Sequence, residues 1–319
     1  MKILANDGIS DEGKKALELA GYTVITDKVN QEDLSTKVNE ENYEIVLVRS
    51  ATTVRKEVID ACPGLKLIGR GGVGIDSIDA EYARSKGIEV FNTPASSSQS
   101  VAELVMSLMF AAVRSVYDAG ANMPVNGVAE FETLKKKYGK GSELRGKTIG
   151  IVGFGRIGKS LASYALGCGM NVIACDNNPN NNEVEMHIAG HGSITIKVPI
   201  KSLSEILTEC DFISLHVPKQ PNGSAVIGAE ELTKVKKGII LVNTSRGGVI
   251  EESALIDALN DGRVAYACLD VFVGEPRPNE ALLKHPKILA TPHIGAATNE
   301  AQGRIGLEIA AKVKEIMNK

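Results

Sequence analysis

Short apolar runs alternate with helix-length segments along the first 95 residues. The candidate strands in this part of the chain are KILAND, YTVIT, EIVLVRS, LKLIGRGG and IEVFNTP. The segments between them, such as DEGKKALELAG (residues 11–21), carry apolar residues at helical spacing. Continuous apolar strands are typical of a sheet that is covered on both faces. The pattern therefore predicts βα units and a parallel sheet.

A long helix and a second βα series follow. The segment SVAELVMSLMFAAVRSV has one apolar stripe, which predicts a well-buried helix, and Ser100 with Glu103 forms a capping-box pattern. A connection rich in Gly, Pro and Asn, AGANMPVNGVAE, comes next. The second set of candidate strands is KTIGIVGFG, MNVIACDN, DFISLHVP, GIILVNTS, VAYACLDV and KILATPHI. A final helix is expected over residues 299–317. The predicted fold class is α/β, with two Rossmann-like or flavodoxin-like parallel-sheet domains.

The bulk composition narrows the class of protein. At 319 residues the chain exceeds the usual size of one domain core, so two domains are expected. A formal net charge of −3 gives no reason to expect nucleic acid, and no apolar run is long enough to span a membrane. The start, MKILANDGIS, lacks a signal-peptide core, and five scattered cysteines argue against disulfides and a zinc site. These features predict a cytoplasmic protein without a bound metal.

A glycine fingerprint opens the second series. In IGIVGFGRIG an apolar strand ends in Gly153-x-Gly155-x-x-Gly158 and leads into a helix. The first glycine permits a tight turn, the second lets the backbone approach a pyrophosphate, and the third allows close packing of helix and strand. Asp176, eighteen positions later, can accept hydrogen bonds from ribose hydroxyls and repels a 2′-phosphate. The sequence therefore predicts a site for NAD rather than NADP.

Three further strand ends carry polar side chains that suit chemistry on a hydroxyacid. Arg246 follows a strand in LVNTSRGG, where it can bind a carboxylate with two N–H groups. Glu275 follows a strand in CLDVFVGEP, and His293 ends the last strand in TPHIG. Taken singly, each has an ordinary alternative, because isolated histidines are usually structural and charged loop residues are usually solvated. Together they supply a carboxylate-binding cation, an acid–base and a partner for the imidazolium.

Several segments in a fixed order carry a family resemblance. They are GRGGVGIDSID, FNTPASSSQSVAEL, LRGKTIGIVGFGRIG, VNTSRGGVIEESAL, CLDVFVGEP and TPHIGAAT. With them the chain resembles the D-isomer-specific 2-hydroxyacid dehydrogenases over its whole length. The resemblance implies a catalytic trio in which His293 is the acid–base, Glu275 its partner and Arg246 the carboxylate-binding cation.

The same resemblance implies the residues that contact NAD. They are Val73, Gly153, Gly155, Arg156, Ile157, Gly158, Asp176, Val217, Pro218, Thr244, Ser245, Arg246, Asp270, His293, Gly295 and Ala296. Within this set, Asp270 is expected to face the nicotinamide carboxamide. The small residues Gly295 and Ala296 are expected to leave room for the nicotinamide ring.

Within the family, LVRSATTV and IGRGGVGIDSID are most similar to members that oxidise D-3-phosphoglycerate with NAD at the start of serine biosynthesis. A phosphorylated 2-hydroxyacid requires cations beyond Arg246, and Arg49 and Arg70 are candidates, although each can also be a solvated surface residue. The N–H groups of residues 72–74 form a candidate nest for the substrate carboxylate. The expected substrate-binding residues are Arg49, Ser50, Ala51, Arg70, Gly72, Val73, Gly74, Asn92, Arg246 and His293.

The family architecture also predicts the domain organisation. Residues 1–95 and 293–319 would form a discontinuous substrate-binding domain, residues 96–292 an NAD-binding Rossmann domain, and a cleft would lie between them. The long helix and the connection after it are expected to form a homodimer. The chain stops one helix after TPHIGAAT, so the resemblance predicts a short form without the C-terminal serine-binding domain of longer members.

Other functions stay open at this point. A glyoxylate or hydroxypyruvate reductase, or another D-2-hydroxyacid dehydrogenase, would use the same trio without phosphate-binding arginines. An NAD-sensing corepressor-like scaffold would keep the fold without turnover. A metal site at His187 and His191 is disfavoured, because Gly190 weakens the helix that would pair them and no third ligand has a recognisable spacing.

Overall fold

The computed structural model describes residues 1–318. Over this range the chain forms two compact units. Residues 1–100, together with the segment from residue 296 onward, form the first unit, and residues 101–295 form the inserted unit. The chain passes into the inserted unit within the first turn of the long helix, and leaves it two residues after His293.

A five-stranded parallel sheet is the centre of the first unit. Its strands are β1 (Lys2–Ala5), β2 (Thr23–Ile25), β3 (Ile45–Val48), β4 (Leu67–Arg70) and β5 (Glu89–Asn92). They lie in the order β2-β1-β3-β4-β5, and every neighbouring pair is parallel. This flavodoxin-like order confirms the predicted class and places the switch point, where ligands bind in such sheets, between β1 and β3.

Helices cover both faces of this sheet. The first four are α1 (Asp11–Glu18), α2 (Leu34–Glu40), α3 (Lys56–Ala61) and α4 (Ala80–Ser85). Alternate strand residues enter two separate apolar clusters, with Leu4 and Ile68 in one and Ile3 and Leu67 in the other. Each such side chain stabilises the fold by roughly 1.5–3 kcal/mol, which is why the strands read as continuous apolar runs.

The inserted unit contains a six-stranded parallel sheet and a separate hairpin. Its strands are β6 (Thr148–Val152), β7 (Asn171–Cys175), β8 (Glu183–Ile188), β9 (Gly192–Lys197), β10 (Phe212–Leu215), β11 (Ile239–Asn243), β12 (Val264–Leu269) and β13 (Ile288–Ala290). The parallel sheet has the order β13-β12-β11-β10-β6-β7, so all six strands predicted for the second series are present. Its switch point lies between β6 and β10.

The remaining helices are α5 (Ser98–Arg114), α6 (Val116–Asn126), α7 (Phe131–Tyr138), α8 (Arg156–Gly167), α9 (Leu203–Glu209), α10 (Ala229–Lys234), α11 (Glu252–Asn260), α12 (Glu280–Leu283) and α13 (Asn299–Met317). Most of the predicted stripe is buried in α5, with Val105 and Met109 fully enclosed in the core of the inserted unit, whereas its last member, Val116, begins α6 and is exposed. None of the described helices alone is long and apolar enough to cross a membrane. Only α5 and α6 taken together reach that length and composition, and they are bent by 60° at their junction.

Two segments differ from the sequence expectation. The connection after α5 is helical in its first part, because α6 continues through Pro124 to Asn126. Proline leaves the carbonyl four residues earlier without its helical partner, but Gly120 is exposed and water can bond that carbonyl. The segment that carries His187 and His191 is the antiparallel hairpin of β8 and β9, so these two residues do not share a helix face.

Candidate active site and cofactor site

A histidine and a glutamate contact each other in the inserted unit. Nδ1 of His293 lies 2.8 Å from Oε2 of Glu275. The other oxygen of Glu275 accepts a 2.8 Å hydrogen bond from the backbone N–H of Phe272, which fixes the carboxylate. Since Nδ1 of the ring faces the carboxylate, Nε2 is the nitrogen left to exchange a proton with a ligand. The geometry is that of an acid–base histidine with a carboxylate partner.

The loop that carries His293 is anchored by a buried carboxylate. Oδ1 of Asp270 accepts hydrogen bonds of 2.6 Å from the hydroxyl of Thr291 and of 2.8 Å from the N–H of Ile294. Its Oδ2 accepts a 2.8 Å hydrogen bond from the N–H of Gly295. Asp270 was expected to contact the cofactor, and its contacts within the protein were not predicted.

Asn243, which sequence reasoning missed, orders the turn that carries Arg246. Its buried side chain accepts hydrogen bonds from the backbone N–H and the hydroxyl of Ser245, at 3.0 and 2.7 Å. Its amide donates a 2.9 Å hydrogen bond to the carbonyl of Arg246. This arrangement is an Asx turn at a strand end. The signal was available, because an amide at the end of the apolar strand IILVN has no apolar role.

Close backbone packing joins the Arg246 turn to the Glu275 loop. A Cβ at Gly247 would lie 2.0 Å from the carbonyl oxygen of Phe272, so only glycine fits there. The N–H of Val273 donates a 2.7 Å hydrogen bond to Glu252, at the first turn of α11. These contacts, with the neighbouring ends of β11, β12 and β13, bring the three predicted catalytic residues to one edge of the sheet.

The glycine turn after β6 has the geometry that the sequence predicts. Gly153 has φ of +91°, and a Cβ there would lie 2.5 Å from the carbonyl oxygen of His216. A Cβ at Gly158 would lie 2.4 Å from the carbonyl oxygen of Gly153. Gly155 faces open space and precedes α8 without a side-chain cap, so the first N–H groups of α8, beginning at Arg156 and Ile157, are available to bind a ligand. Such a helix N-terminus suits a pyrophosphate.

Asp176 closes the same site from the end of β7. Its two oxygens accept hydrogen bonds of 2.7 Å from the N–H of Phe154 and 2.9 Å from the N–H of Asn178. These bonds fix the carboxylate beside the glycine turn. Because a carboxylate oxygen can accept two hydrogen bonds, each retains capacity for a ribose hydroxyl.

Two buried polar atoms at the same sheet edge test the fit of a dinucleotide. The Nδ1 atom of His216 and the Oγ1 atom of Thr244 are buried, and no described residue bonds either of them. The parallel register of β6, β10 and β11 places Gly153, His216 and Thr244 in adjacent positions just beyond the strands. Polar atoms of this kind beside a glycine turn are the groups that NAD requires, so the residues present fit the cofactor.

His216 itself is held as a neutral imidazole. Its Nε2 lies 2.9 Å from the hydroxyl of Ser214, which is fully buried. Burial lowers the pKa of His216 from its ordinary value of 6.5 to about 4. The predicted neighbour Pro218 is exposed, whereas Val217 and Ser245 are partly buried.

In the first unit, Asp7 anchors the loop that begins with Arg49. Its carboxylate accepts hydrogen bonds from the N–H of Arg49 at 2.6 Å, from the N–H and hydroxyl of Thr52 at 3.1 and 2.6 Å, and from the ammonium of Lys28. Burial raises the pKa of Asp7, but these hydrogen bonds outweigh it and leave that pKa below its ordinary value. The loop contains Ser50 and Ala51 and lies at the switch point between β1 and β3.

The candidate carboxylate nest differs from the expectation at Gly72. The N–H of Gly72 donates to the carbonyl of Arg70 at 3.0 Å and to the hydroxyl of Thr93 at 2.8 Å, so it is not available to a substrate. The guanidinium of Arg70 lies against Gly72, where a Cβ would be 2.0 Å from Nη1. Asn92 donates to the carbonyl of Val73 and shapes the turn. The nest is therefore reduced to the N–H groups of Val73 and Gly74.

Within residues 1–318, no cluster of three or more His, Cys, Asp or Glu side chains could hold a metal ion. All five cysteines are free thiols.

Comparisons with known proteins identify the family. A family model described as D-isomer specific 2-hydroxyacid dehydrogenase, NAD binding domain, matches residues 106–295. The chain is 39% identical over 317 residues to D-3-phosphoglycerate dehydrogenase of Methanocaldococcus jannaschii, covering 99% of this chain and 57% of that protein. It is also 39% identical over 315 residues to hydroxypyruvate reductase of Thermotoga maritima, covering 98% of this chain and 97% of that protein. The chain thus spans little more than half of the first relative.

A solved structure agrees in fold. NAD-dependent formate dehydrogenase from Staphylococcus aureus, crystallised in complex with NAD, matches with a TM-score of 0.81 at 26% sequence identity. The match covers 100% of this chain and 96% of that one.

Proposed function

The chain belongs to the D-isomer-specific 2-hydroxyacid dehydrogenase family, and we propose that it oxidises D-3-phosphoglycerate to 3-phosphohydroxypyruvate with NAD. The observation that carries the proposal is the 2.8 Å contact between His293 and Glu275 beside the Arg246 turn. A histidine with a carboxylate partner and a neighbouring arginine is what a 2-hydroxyacid requires. The resemblance of LVRSATTV and IGRGGVGIDSID supports the phosphorylated substrate.

The residues divide the chemistry among them. NAD, when bound, supplies the acceptor for the hydride that leaves the carbinol carbon. Nε2 of His293 takes the hydroxyl proton as the C–H bond breaks and the carbonyl forms. Glu275 stabilises the resulting imidazolium through Nδ1, and Arg246 binds the substrate carboxylate. Oxidation releases a proton, so higher pH favours it over reduction.

The substrate phosphate is assigned to arginines of the first unit. Arg49 begins the loop that Asp7 holds, and Arg70 lies against Gly72 at the end of β4. A phosphate carries close to two negative charges at neutral pH, so a guanidinium binds it strongly and with two donors. The N–H groups of Val73 and Gly74 are proposed to bind the substrate carboxylate together with Arg246.

A reductase acting on hydroxypyruvate or glyoxylate is the second candidate. The identity of 39% to the Thermotoga maritima hydroxypyruvate reductase equals that to the phosphoglycerate dehydrogenase, so similarity does not separate the two substrates. A variant of Arg49 is proposed to separate them, because a phosphorylated substrate needs a cation that hydroxypyruvate and glyoxylate do not.

The test is NADH oxidation with 3-phosphohydroxypyruvate, hydroxypyruvate and glyoxylate, in the wild type and in Arg49→Ala. We expect phosphohydroxypyruvate to have the highest kcat/KM, and Arg49→Ala to lower it by about 30-fold or more, equivalent to about 2 kcal/mol, while kcat/KM for hydroxypyruvate changes little. Arg55→Ala, which removes an exposed arginine paired with Asp79, is the matched control. An unchanged substrate preference in Arg49→Ala would overturn the phosphate assignment. No turnover of any 2-oxoacid would favour a non-enzymatic, NAD-sensing role.

A homodimer through α6 and the following residues is part of the proposal. No residue of α6 is buried, yet the helix and the segment after it expose large apolar side chains. These side chains are Val116, Tyr117, Met123, Val125, Val128 and Phe131. An exposed apolar surface of this kind is typical of a subunit interface.

The proposed location is the cytoplasm. Free thiols at all five cysteines support it, because thiols are kept reduced there.

A further inference from the structure

His293 has a backbone conformation that its side chain disfavours. Its φ is +54°, in the left-handed region, whereas only two other described non-glycine residues have positive φ. For a residue with a Cβ this conformation costs about 1–2 kcal/mol. It persists only where the surrounding structure imposes it, and such positions concentrate at functional sites. Something in the fold must therefore hold this turn.

The hydrogen bonds of Asp270 supply that restraint. The carboxylate accepts a hydrogen bond from the hydroxyl of Thr291, two positions before His293, and from the N–H groups of Ile294 and Gly295, the two residues after it. The carboxylate thus accepts three of the four hydrogen bonds that it can accept, one from before His293 and two from after it. No other described side chain bonds the backbone N–H groups of both Ile294 and Gly295.

Asp270 is itself buried and bonded to a neighbouring strand end. Its side chain is 1% exposed, and its backbone N–H donates a 3.0 Å hydrogen bond to the carbonyl of Asn243 on the neighbouring strand end. A Cβ at Gly295 would lie 3.1 Å from Oδ2 of Asp270 and 3.4 Å from the side chain of Val101. The loop therefore packs onto the carboxylate without space for a shift.

We propose that Asp270 is a positioning residue that acts through the His293 loop. By holding Thr291, Ile294 and Gly295 it keeps His293 in the left-handed turn, with Nδ1 on Glu275 and Nε2 available for the hydroxyl proton. The catalytic part of this inference rests on the proposed function, whereas the orientation of the ring does not. A contact of Asp270 with the cofactor is not needed for this role.

Asp270→Asn tests the proposal, because an amide presents N–H groups where the carboxylate accepts them. Three measurements are required: kcat with the best 2-oxoacid, the Kd for NADH by fluorescence titration without substrate, and ¹⁵N NMR of histidine-labelled protein. The His293 ring signals are assigned by their loss in His293→Asn. We expect kcat to fall by about 100-fold, since small misplacements of a catalytic group have effects of that size. The Kd for NADH should stay within about threefold, and the imidazole ¹⁵N signals should lose the Nδ1–H tautomer imposed by Glu275.

Thr291→Val is the second variant, because it removes one of the three donors without changing size and leaves the buried carboxylate in place. It should lower kcat by about three- to tenfold in the same direction, with the same Kd for NADH. Asp211→Asn is the control, since Asp211 also accepts a backbone N–H, that of Thr148, but at the opposite end of the sheet. It should leave kcat and the His293 ring signals at wild-type values.

The outcomes separate the alternatives. A Kd for NADH raised tenfold or more in Asp270→Asn, with unchanged His293 signals, would identify Asp270 as a cofactor contact and overturn the proposal. Should Asp270→Asn fail to fold, an unaltered kcat and unaltered ring signals in Thr291→Val would overturn it. If the wild type turns over no 2-oxoacid, the proposed function fails, and the ring signals alone still decide whether Asp270 orients His293.

Discussion

The backbone N–H of Asp270 donates a 3.0 Å hydrogen bond to the carbonyl of Asn243, at the ends of two adjacent strands. Each of these buried residues orders one turn, with Asn243 under Arg246 and Asp270 under His293. The turns that carry Arg246 and His293 are therefore held by two residues that bond each other. A site keeps its geometry without a ligand when buried residues at strand ends hydrogen-bond the turns that carry its side chains.

Loss of the acid–base pair should abolish turnover without affecting the fold. We expect His293→Asn to lower kcat by about 1,000-fold and Glu275→Gln by about 100-fold, in line with the range for general acid–base catalysis. The pair is partly exposed, so the melting temperature should change little. Steady-state kinetics and thermal unfolding by circular dichroism measure both. His187→Asn, on the exposed hairpin, should behave as the wild type, and equal losses in that variant would contradict the assignment.

Asn243→Ala should weaken both stability and substrate binding. The variant leaves the partly buried N–H of Ser245 and the carbonyl of Arg246 without the partner that Asn243 supplies, at a cost of about 1–3 kcal/mol in the free energy of unfolding. The loosened Arg246 turn should raise KM for the 2-oxoacid about tenfold. Urea unfolding and kinetics measure the two effects. Asn260→Ala, at the exposed end of α11, is the control, and a wild-type KM in Asn243→Ala would show that the turn does not depend on Asn243.

Replacement of Asp176 should relax the choice of cofactor. Asp176→Ala removes the carboxylate that is fixed by Phe154 and Asn178, and we expect the Kd for NADH to rise about tenfold, which is about 1.4 kcal/mol. Repulsion of a 2′-phosphate is lost as well, so affinity for NADPH should rise relative to that for NADH. Fluorescence titrations with both cofactors measure this. The same shift in Glu183→Ala, an exposed carboxylate on β8, would indicate a long-range charge effect instead.

Protonation of His216 should destabilise the inserted unit in mild acid. Above its ordinary pKa of 6.5 the imidazole is neutral in both folded and unfolded chains, and between 6.5 and about 4 only the unfolded chain takes up the proton. Stability should therefore fall as the pH drops through this window and level off below it, by an amount on the order of 2 kcal/mol.

Melting temperatures between pH 7.5 and 4 test this expectation. His216→Gln removes the titrating group and should flatten the pH dependence, whereas His187→Gln should retain it. An identical slope in the wild type and His216→Gln would exclude His216 as the cause.

The exposed apolar surface of α6 should be required for self-association. Val125→Glu places a charge in that surface, and we expect the molar mass by light scattering to fall from that of two chains to that of one. Leu19→Glu, which adds the same charge at an isolated exposed position after α1, should leave the mass unchanged. A single-chain mass for the wild type would remove the homodimer proposal.

The sequence predicted the strands and the cofactor class because both have local signals. Continuous apolar runs marked the strands of both sheets, and the glycine turn with Asp176 marked the NAD site. A polar residue at the end of an apolar strand marks Asn243 and Asp270 as unusual positions, but the sequence does not show which loop each of them will bond. The left-handed backbone of His293 has no sequence signal either, since it is imposed from Asp270.

The hairpin was missed for a different reason. Val184, Met186 and Ile188 alternate with polar residues, and Ile194 and Ile196 continue the alternation after a glycine turn. This is the pattern of two strands, but the spacing of His187 and His191 drew attention to a helix instead. Polar exposure on one side of the hairpin follows from the same alternation.

At residue 293, thermal stability and catalysis favour different amino acids, because the backbone of the turn is left-handed. Glycine adopts this conformation without steric cost, and the partly exposed contact with Glu275 contributes little to folding. A library randomised at residue 293 and sorted only for survival of heating should therefore accumulate glycine, whereas sorting for activity should return histidine. The presence of histidine at this position is therefore explained by selection for activity, since selection for stability alone would favour glycine.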